Sequence, residues 1–347
     1  MLKWKVLLLL YLFKLCCGFD PITWTVVGGL GGLSGYGLYN FEKLKEVSYC
    51  QLPMVECCSP SSIPVNLPQL EKDLRNNLYG QHILIEHLIP ALKSHFQDEV
   101  KIRKPLVISF HGTPGTGKNF VSDFIAKHLY KKGTNSKFVH KIGKVNFALE
   151  SDIDKYKVEL ADNITKAVKE CPRSLFIFDE VDRLPKGAFE TLTTFLDYHD
   201  IINGVDYSKA MYVFLTNTAG KEIGHRLYEL MKSGKERSST RLHEFEDILE
   251  AGAYTLNGGL QGGGILKAHL IDHFLPFLPL EKQHVKDCIR AEYLRWNVNP
   301  MESSINYIFD SNVVYDPDYK LYSTAGCKRL DAKVRLDVNA NYLAEEK

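Results

Sequence analysis

One glycine-rich run tells more about this chain than any other part of it: Gly112-Thr113-Pro114-Gly115-Thr116-Gly117-Lys118-Asn119. The run fits the phosphate-binding pattern G-x-x-x-x-G-K-[ST] at every position but the last, where Asn119 replaces serine or threonine. Glycines let backbone N–H groups turn inward around phosphate oxygens, and Lys118 is expected to reach the β- and γ-phosphates. We therefore predict a nucleoside triphosphate site at residues 112–119 and the adjoining Phe120.

The residues on either side of this run have the patterns of a strand and a helix. Residues 105–111 are mostly apolar, and apolar side chains recur at helical spacing across 120–130. A strand, a glycine loop and a helix in this order direct the helix N-terminus at a bound anion. A plain glycine turn between two core elements is the alternative, and the completeness of the pattern disfavours it.

Magnesium ligands and a catalytic base are expected close to the loop. Asn119 offers an amide oxygen, which binds Mg²⁺ directly or through water. A second apolar strand, 174–178, runs into Asp179 and Glu180. Asp179 is expected to hold Mg²⁺ or its water, and Glu180 to polarise the attacking water. This acidic pair favours hydrolysis over phosphoryl transfer, although taken alone it would be read as a helix cap.

A third apolar strand, 210–216, ends at Asn217. Ligands of open parallel sheets bind at the carboxyl ends of the strands, so Asn217 is a candidate for orienting the attacking water. An Asx-turn leaving the strand is the alternative interpretation.

The layout of the chain predicts an α/β fold. Strands at 105–111, about 138–147, 174–179 and 210–216 alternate with helical stretches, which indicates a parallel sheet with helices on both faces. Residues 67–92 have helical spacing with a break at 79–82. Helical spacing returns at 266–274 and 280–296, so we predict an α/β domain over 69–220 and a small helical lid domain over 221–347.

These elements resemble the AAA+ ATPases, and their details resemble one branch, the torsins. The matching stretches are Gly-Thr-Gly-Lys-Asn-Phe-Val-Ser at 115–122, Phe-Ile-Phe-Asp-Glu at 176–180, Phe-Leu-Asp-Tyr at 195–198, Asp-Tyr-Ser-Lys-Ala-Met at 206–211, Pro-Phe-Leu-Pro-Leu at 276–280 and Gly-Cys-Lys at 326–328. The resemblance runs from about residue 50 to the C-terminus. Pro114 departs from the torsin pattern and is similar to an ordinary AAA+ loop.

The resemblance implies ATP and Mg²⁺ as cofactors. It implies that Gly80 and Gln81 lie near the adenine and that Lys328 acts as a second sensor from the lid. A ligand-free helix–turn–helix at 80–81 and a plain surface lysine at 328 are the alternatives. It further implies that a membrane-bound activator with a luminal domain supplies an arginine finger, and that the chain alone hydrolyses ATP weakly. The run 235–241 contains two arginines, and nothing in the sequence marks either as a finger.

Two cysteines in the region that resembles torsins suggest a hypothesis about regulation. Cys327 adjoins Lys328, and Cys288 lies earlier in the same predicted lid. We expect these two cysteines to pair, which would stabilise the fold by about 4 kcal/mol in the chain-entropy model. Reduction would then shift Lys328 and alter nucleotide affinity. A purely structural bridge is the alternative.

The N-terminus indicates the compartment. Residues 1–18 have the pattern of a secretory signal peptide, with an uncleaved anchor as the alternative. Residues 19–42 are apolar and glycine-rich, and 21–41 are interpreted as a membrane-association segment rather than a flexible linker. Residues 43–68 are read as a linker. A lumen also suits the sequon at Asn163, a predicted glycosylation site. The resemblance implies the endoplasmic reticulum lumen and the nuclear envelope.

Several classes of function are disfavoured. The net charge of +1 argues against nucleic acid as a partner, and the sequence lacks the Asn-Lys-x-Asp motif of GTPases. A small-molecule kinase would not carry the acidic pair. We therefore predict a luminal, membrane-associated AAA+ ATPase that remodels proteins or membranes at the endoplasmic reticulum and nuclear envelope. An ATP-dependent scaffold with negligible turnover is the alternative. Assembly of the chain into a homo-oligomer is a further possible interaction.

Overall fold

The computed structural model describes residues 55–97, 101–147, 150–185, 187–198, 201–254 and 269–341. The predicted signal peptide, the apolar segment and the linker up to residue 54 lie outside this part of the chain. None of the helices within it is both long enough and apolar enough to cross a membrane. The chain divides into two compact units, 1–62 and 63–347, and every described helix and strand belongs to the second.

Five parallel strands form one sheet in the order β2-β3-β4-β1-β5. Their bounds are β1 Leu106–His111, β2 Val139–Ile142, β3 Leu175–Phe178, β4 Met211–Thr216 and β5 His273–Pro276. Every residue of β1, β3 and β4 is buried, as expected for parallel strands covered on both faces. The predicted α/β class and the four predicted strands are confirmed, although β2 is shorter than the predicted 138–147.

Ten helices accompany the sheet in the described residues. They are α1 Leu67–Asn77, α2 His82–His95, α3 Lys118–Leu129, α4 Ile153–Glu170, α5 Thr193–Leu196, α6 Gly220–Lys232, α7 Glu246–Tyr254, α8 Lys282–Arg295, α9 Glu302–Asn312 and α10 Leu330–Asn341. The predicted break at 79–82 separates α1 from α2, and α3 follows the glycine loop directly. The last three helices, α8 to α10, are called the lid here.

Strand β5 corrects the sequence prediction. Apolar spacing at 266–274 predicts a helix, yet 273–276 form a strand that pairs with β1 from Ile108↔His273 to His111↔Pro276. Asp272 fixes the register, because its carboxylate accepts a hydrogen bond from the Val107 N–H at 2.8 Å. A strand of only four residues is too short to show an alternating pattern in the sequence. Its partner, β1, is distant in the chain. The α/β domain therefore extends through β5, and the boundary predicted between 220 and 221 is too early.

Separate apolar cores hold the two faces of the sheet and the lid. One face packs under α4 with stacked aromatic rings, such as Phe178 on Phe214 with centroids 5.0 Å apart. The opposite face packs under α1, α2 and α3. The lid has a core of its own from all three helices, in which Ile289 and Val334 are fully buried. The lid is thus held together independently of the sheet.

Arg237 fastens the start of the lid to the α/β domain. Its guanidinium donates to the Gly80 carbonyl at 2.8 Å, to the Pro279 carbonyl at 3.0 Å and to the Glu281 carboxylate at 2.8 Å. The side chain is only 11% exposed. One cation therefore joins the turn between α1 and α2, the segment after β5 and the residue that caps α8.

Replacing Arg237 by alanine is expected to lower the free energy of unfolding by about 2–3 kcal/mol, because the partly buried Glu281 carboxylate and the Gly80 and Pro279 carbonyls lose a charged donor. Urea denaturation followed by far-UV circular dichroism measures this. Arg241→Ala is the matched control, since among the described residues the guanidinium of the exposed Arg241 donates only to carbonyls of its own turn. Equal losses in the two variants would contradict a clamp at Arg237.

The buried His95 is expected to make the fold sensitive to acid. Burial, the larger effect, lowers the pKa of His95 to about 4, and its Nε2 contacts the Lys209 carbonyl at 3.2 Å. The unfolded chain takes up the proton first as the pH falls, so stability decreases between pH 6.5 and 4 by about 3 kcal/mol from this residue. His95→Gln should remove that part of the decrease, as measured by urea titrations across this range. The exposed His243→Gln is the control, and unchanged acid sensitivity in His95→Gln would contradict the prediction.

Candidate nucleotide-binding site

The glycine loop runs from the end of β1 into the start of α3. Gly115 and Gly117 have φ of 78° and 110°, values that side chains rarely permit. Gly117 is the N-cap of α3, and the first N–H groups of a helix have no acceptor within the helix. The loop and the helix therefore present backbone donors to the same concavity, the arrangement that an anion requires.

Lys118 lies buried in this concavity. Its ammonium donates to the Gly112 carbonyl at 2.6 Å and to the Thr113 carbonyl at 3.0 Å. Burial lowers the pKa of Lys118 to about 8, against the opposing effects of Asp182 and Asp179. An anion placed beside the ammonium would favour its charged form. The Thr113 hydroxyl, buried and without a partner among the described residues, is a further group that a ligand could satisfy.

The two predicted magnesium ligands are adjacent. The Asn119 amide donates to one oxygen of the Asp179 carboxylate at 2.7 Å, and the Glu180 N–H donates to the other at 2.9 Å. No cluster of three His, Cys, Asp or Glu in the described ranges is placed to hold a metal ion by itself. The set of amide and carboxylate oxygens suits Mg²⁺, which is usually bound by one or two protein groups together with phosphates and water. The residues present therefore fit a magnesium–nucleotide complex.

Glu180 is held at the end of β3 in an unusual conformation. Its φ is 51°, in the left-handed region, and its carboxylate pairs with the Arg183 guanidinium at 3.2 Å. Both side chains are partly exposed. The predicted base is thus accessible to water, and its carboxylate is engaged by a cation.

Asp182 is a residue of this site that the sequence analysis missed. Its carboxylate accepts hydrogen bonds from the Asn217 N–H at 3.1 Å and from the Thr216 hydroxyl at 3.3 Å, while the Asn217 amide nitrogen lies 3.5 Å away. It also has the largest charge effect on Lys118. The only signal in the sequence is a third acid shortly after Asp179, a pattern that an exposed helix start would share.

The lid reaches the loop at the predicted second sensor. The Cys327 N–H donates to the Gly115 carbonyl at 3.0 Å, and a β-carbon added to Gly115 would lie 1.9 Å from the Ala325 carbonyl oxygen. Lys328 follows and is close enough to lower the pKa of Lys118. The predicted pair Cys288 and Cys327 forms a disulfide with Cα atoms 6.1 Å apart, which ties this turn to α8.

The Gln81 side chain holds the phosphate loop and the segment after β5 together, and the predicted position of Gly80 and Gln81 near the adenine stays a prediction. Its amide nitrogen donates to the Thr116 carbonyl at 3.2 Å and to the Leu278 carbonyl at 2.8 Å, while its oxygen accepts from the Leu278 N–H. With 2% of its surface exposed, the side chain is engaged within the fold. Gln81 supports the loop from behind. Gly80 has φ of 70°, and its carbonyl accepts a hydrogen bond from the Arg237 guanidinium.

The remaining predicted residues are in or next to the phosphate loop, except Asn163. Phe120 is partly exposed and packs on Phe124 with ring centroids 4.3 Å apart. The Thr116 hydroxyl donates to the Thr113 carbonyl within the loop. Pro114 occupies the loop between Thr113 and Gly115. Asn163 is exposed on α4, far along the chain from the loop, and lines a groove of about 480 Å³ between α4 and β2.

Comparisons with known proteins agree with this geometry. A family model described as Torsin matches residues 51–178. A "Torsin-like protein" of Drosophila melanogaster is 43% identical over 324 residues, which cover 92% of this chain and 92% of that protein. A "Torsin-like protein" of Caenorhabditis elegans is 36% identical over 337 residues, covering 95% and 94%.

Solved structures support the fold. The Saccharomyces cerevisiae Hsp104–ADP complex matches with a TM-score of 0.57 at 15% identity, over 90% of this chain and 54% of that one. A closed state of Hsp104 with ATPγS and FITC casein matches with a TM-score of 0.52 at 16% identity, over 81% and 48%. This chain therefore spans about half of the Hsp104 chain, and at such identities the likeness concerns the fold alone.

The glycine loop, the paired acids at the end of β3 and the lid turn with its disulfide occur together in a chain that is 43% identical to a torsin-like protein over most of its length. This chain belongs to the torsin family and has the AAA+ fold.

Proposed function

We propose that this protein is an ATPase whose turnover depends on an activator, and that it remodels proteins or membranes from the lumen of the endoplasmic reticulum and the nuclear envelope. The observation that carries the ATPase proposal is the hydrogen bond of 2.7 Å between Asn119 and Asp179. The two side chains proposed to hold Mg²⁺ are thus adjacent to each other, next to the loop that contains Lys118.

Each residue of the site then has a part in hydrolysis. Lys118 and the loop N–H groups would bind the phosphates, and Asn119 and Asp179 would hold Mg²⁺, which supplies polarisation of the terminal phosphate when bound. Glu180 accepts the proton of the attacking water, and Asn217 positions that water. Lys328 adds positive charge from the lid, where negative charge increases in the transition state.

The state of the arginines supports dependence on an activator. The two arginines of the run 235–241 are both committed to the chain itself, Arg237 in the buried clamp and Arg241 on neighbouring carbonyls. The Arg183 guanidinium forms an ion pair with Glu180, the predicted base. A finger from a second protein, a membrane-bound activator with a luminal domain, would complete the charge around the terminal phosphate, a contribution of 10³–10⁵ in rate where it has been measured in related chemistry.

The compartment is part of the proposal. A signal peptide at 1–18 and a membrane-association segment at 21–41 would place the folded domain in an oxidising lumen. The disulfide between Cys288 and Cys327, together with disulfide bonding of Cys57, Cys58 and Cys171, supports that placement. Glycosylation at the exposed Asn163 would agree with it.

Phosphate release by the purified chain is expected to be slow and to rise at least about tenfold with a detergent extract of membranes from the same source. Glu180→Gln should reduce the stimulated rate at least about a hundredfold while ATP still binds, because a glutamine cannot accept the proton. The exposed Glu222→Gln on α6 is the matched control.

The same measurement separates the rival function. Rapid turnover by the purified chain alone would contradict dependence on an activator. A scaffold that binds ATP without useful turnover predicts no stimulation by the extract and no difference between wild type and Glu180→Gln. The Glu180→Gln variant also accounts for phosphate released by other ATPases in the extract.

Reduction of the lid disulfide is expected to change ADP affinity by at least about fivefold, because the Cys327 N–H contacts Gly115 of the phosphate loop. Fluorescence titration with a labelled ADP under oxidising and reducing conditions measures this. In Cys288→Ser and in Cys327→Ser the affinity should no longer depend on the reductant. Equal wild-type affinities under both conditions would leave the disulfide with a structural role only.

A further inference from the structure

A chain of hydrogen bonds lies behind the phosphate loop, and hydrolysis as described above does not use it. It begins at the Ser109 hydroxyl, which lies 2.8 Å from the His111 Nε2. The His111 Nδ1 lies 3.2 Å from the Thr218 hydroxyl, and that hydroxyl lies 3.0 Å from the Thr216 hydroxyl. The Thr216 hydroxyl reaches the Asp182 carboxylate at 3.3 Å. The chain therefore links the end of β1 to the segment after β3 across the end of β4.

The carboxylate at one end fixes the direction of the threonine bonds. An ionised carboxylate has no proton to give, so the Thr216 hydroxyl donates to Asp182. The Thr216 oxygen then only accepts, and it already takes the Thr218 N–H at 3.2 Å. Its second lone pair must accept the Thr218 hydroxyl proton. Each hydroxyl thus donates towards Asp182.

The same logic sets the proton of His111. The Thr218 hydroxyl has used its proton, so the His111 Nδ1 must carry the hydrogen that it donates to Thr218. His111 is fully buried, and burial, with a smaller contribution from Lys118, lowers its pKa to about 3, so the ring is neutral. A neutral ring with hydrogen on Nδ1 accepts at Nε2, where the Ser109 hydroxyl donates. Without a fixed end, either ring nitrogen could carry the proton.

The same carboxylate holds Asn217 twice. One oxygen accepts the backbone N–H of Asn217, and the other lies nearest its amide nitrogen. Within the described part of the chain no donor bonds to the amide oxygen of Asn217, so this oxygen stays available as an acceptor. This oxygen is the group with which Asn217 would bind the water of the proposed hydrolysis.

We propose that Asp182 is a positioning residue for hydrolysis, an inference that rests on the proposed ATPase function. Its carboxylate orients the amide of Asn217. Through the two threonines it also holds His111, the residue before the phosphate loop, as the tautomer with hydrogen on Nδ1. One charge thereby sets the orientation of polar groups at the ends of three neighbouring strands.

Asp182→Asn tests the proposal, because it keeps the shape of the side chain and removes the charge that fixes the direction of every bond. The activated kcat should fall at least about tenfold, with ADP affinity within about threefold of wild type. In Asn217→Ala, adding Asp182→Asn should cause little further loss, because Asp182 acts through Asn217. Asp162→Asn, an exposed aspartate of α4, is the control. An unchanged kcat in Asp182→Asn, or fully multiplicative losses in the double variant, would overturn the proposal.

A second measurement does not depend on ATP hydrolysis. Long-range ¹H–¹⁵N correlation spectra of ¹⁵N-histidine-labelled protein report the tautomer of His111, whose signal is assigned as the one missing in His111→Gln. Wild type should show hydrogen on Nδ1, and both Asp182→Asn and Thr218→Val should lose that preference. Thr218→Val keeps this test available if Asp182→Asn does not fold. Hydrogen on Nε2 in wild type would overturn the network, whereas an inactive wild type with the expected tautomer would refute only the ATPase function.

Discussion

The contact between Gly115 and the lid turn is the constraint on which the rest of the site depends. A β-carbon at 115 would overlap the Ala325 carbonyl, and one at Gly326 would lie 2.2 Å from the Gly115 oxygen. Two glycines are therefore needed for the lid backbone to reach the phosphate loop and form the hydrogen bond from Cys327. This close approach brings Lys328 near the site. It also means that Cys327, which is disulfide-bonded to Cys288, contacts the phosphate loop directly.

Charge in the site is balanced around a buried ammonium. Burial disfavours the charged form of Lys118, and carboxylates at 179, 180 and 182 oppose that effect. In the structure the ammonium bonds to carbonyls of its own loop. A triphosphate would replace those carbonyls with stronger, charged acceptors. Lys118 would therefore gain stronger acceptors when a nucleotide binds. Without a nucleotide, the Glu180 carboxylate is paired with the Arg183 guanidinium.

Local signals predicted most of this arrangement, and the failures share one cause. The strands before the loop, before Asp179 and before Asn217 were each visible as apolar runs, and the loop spacing placed Lys118 and Asn119. Strand β5 was missed because its pairing with β1 joins residues distant in the chain. Asp182 was missed because its partners, Thr216 and Asn217, come from another segment of the chain.

The sequence by itself determined the phosphate loop, the acids and the family resemblance, since those features depend on residue type at short spacing. Only the tertiary structure decided which polar groups remain free for a ligand. Gln81, Arg237 and Asn217 are all plausible ligand contacts from the sequence, yet packing commits the first two to backbone carbonyls and fixes the third on Asp182. A buried polar group must find a partner, and which partner lies within reach is a property of the folded chain.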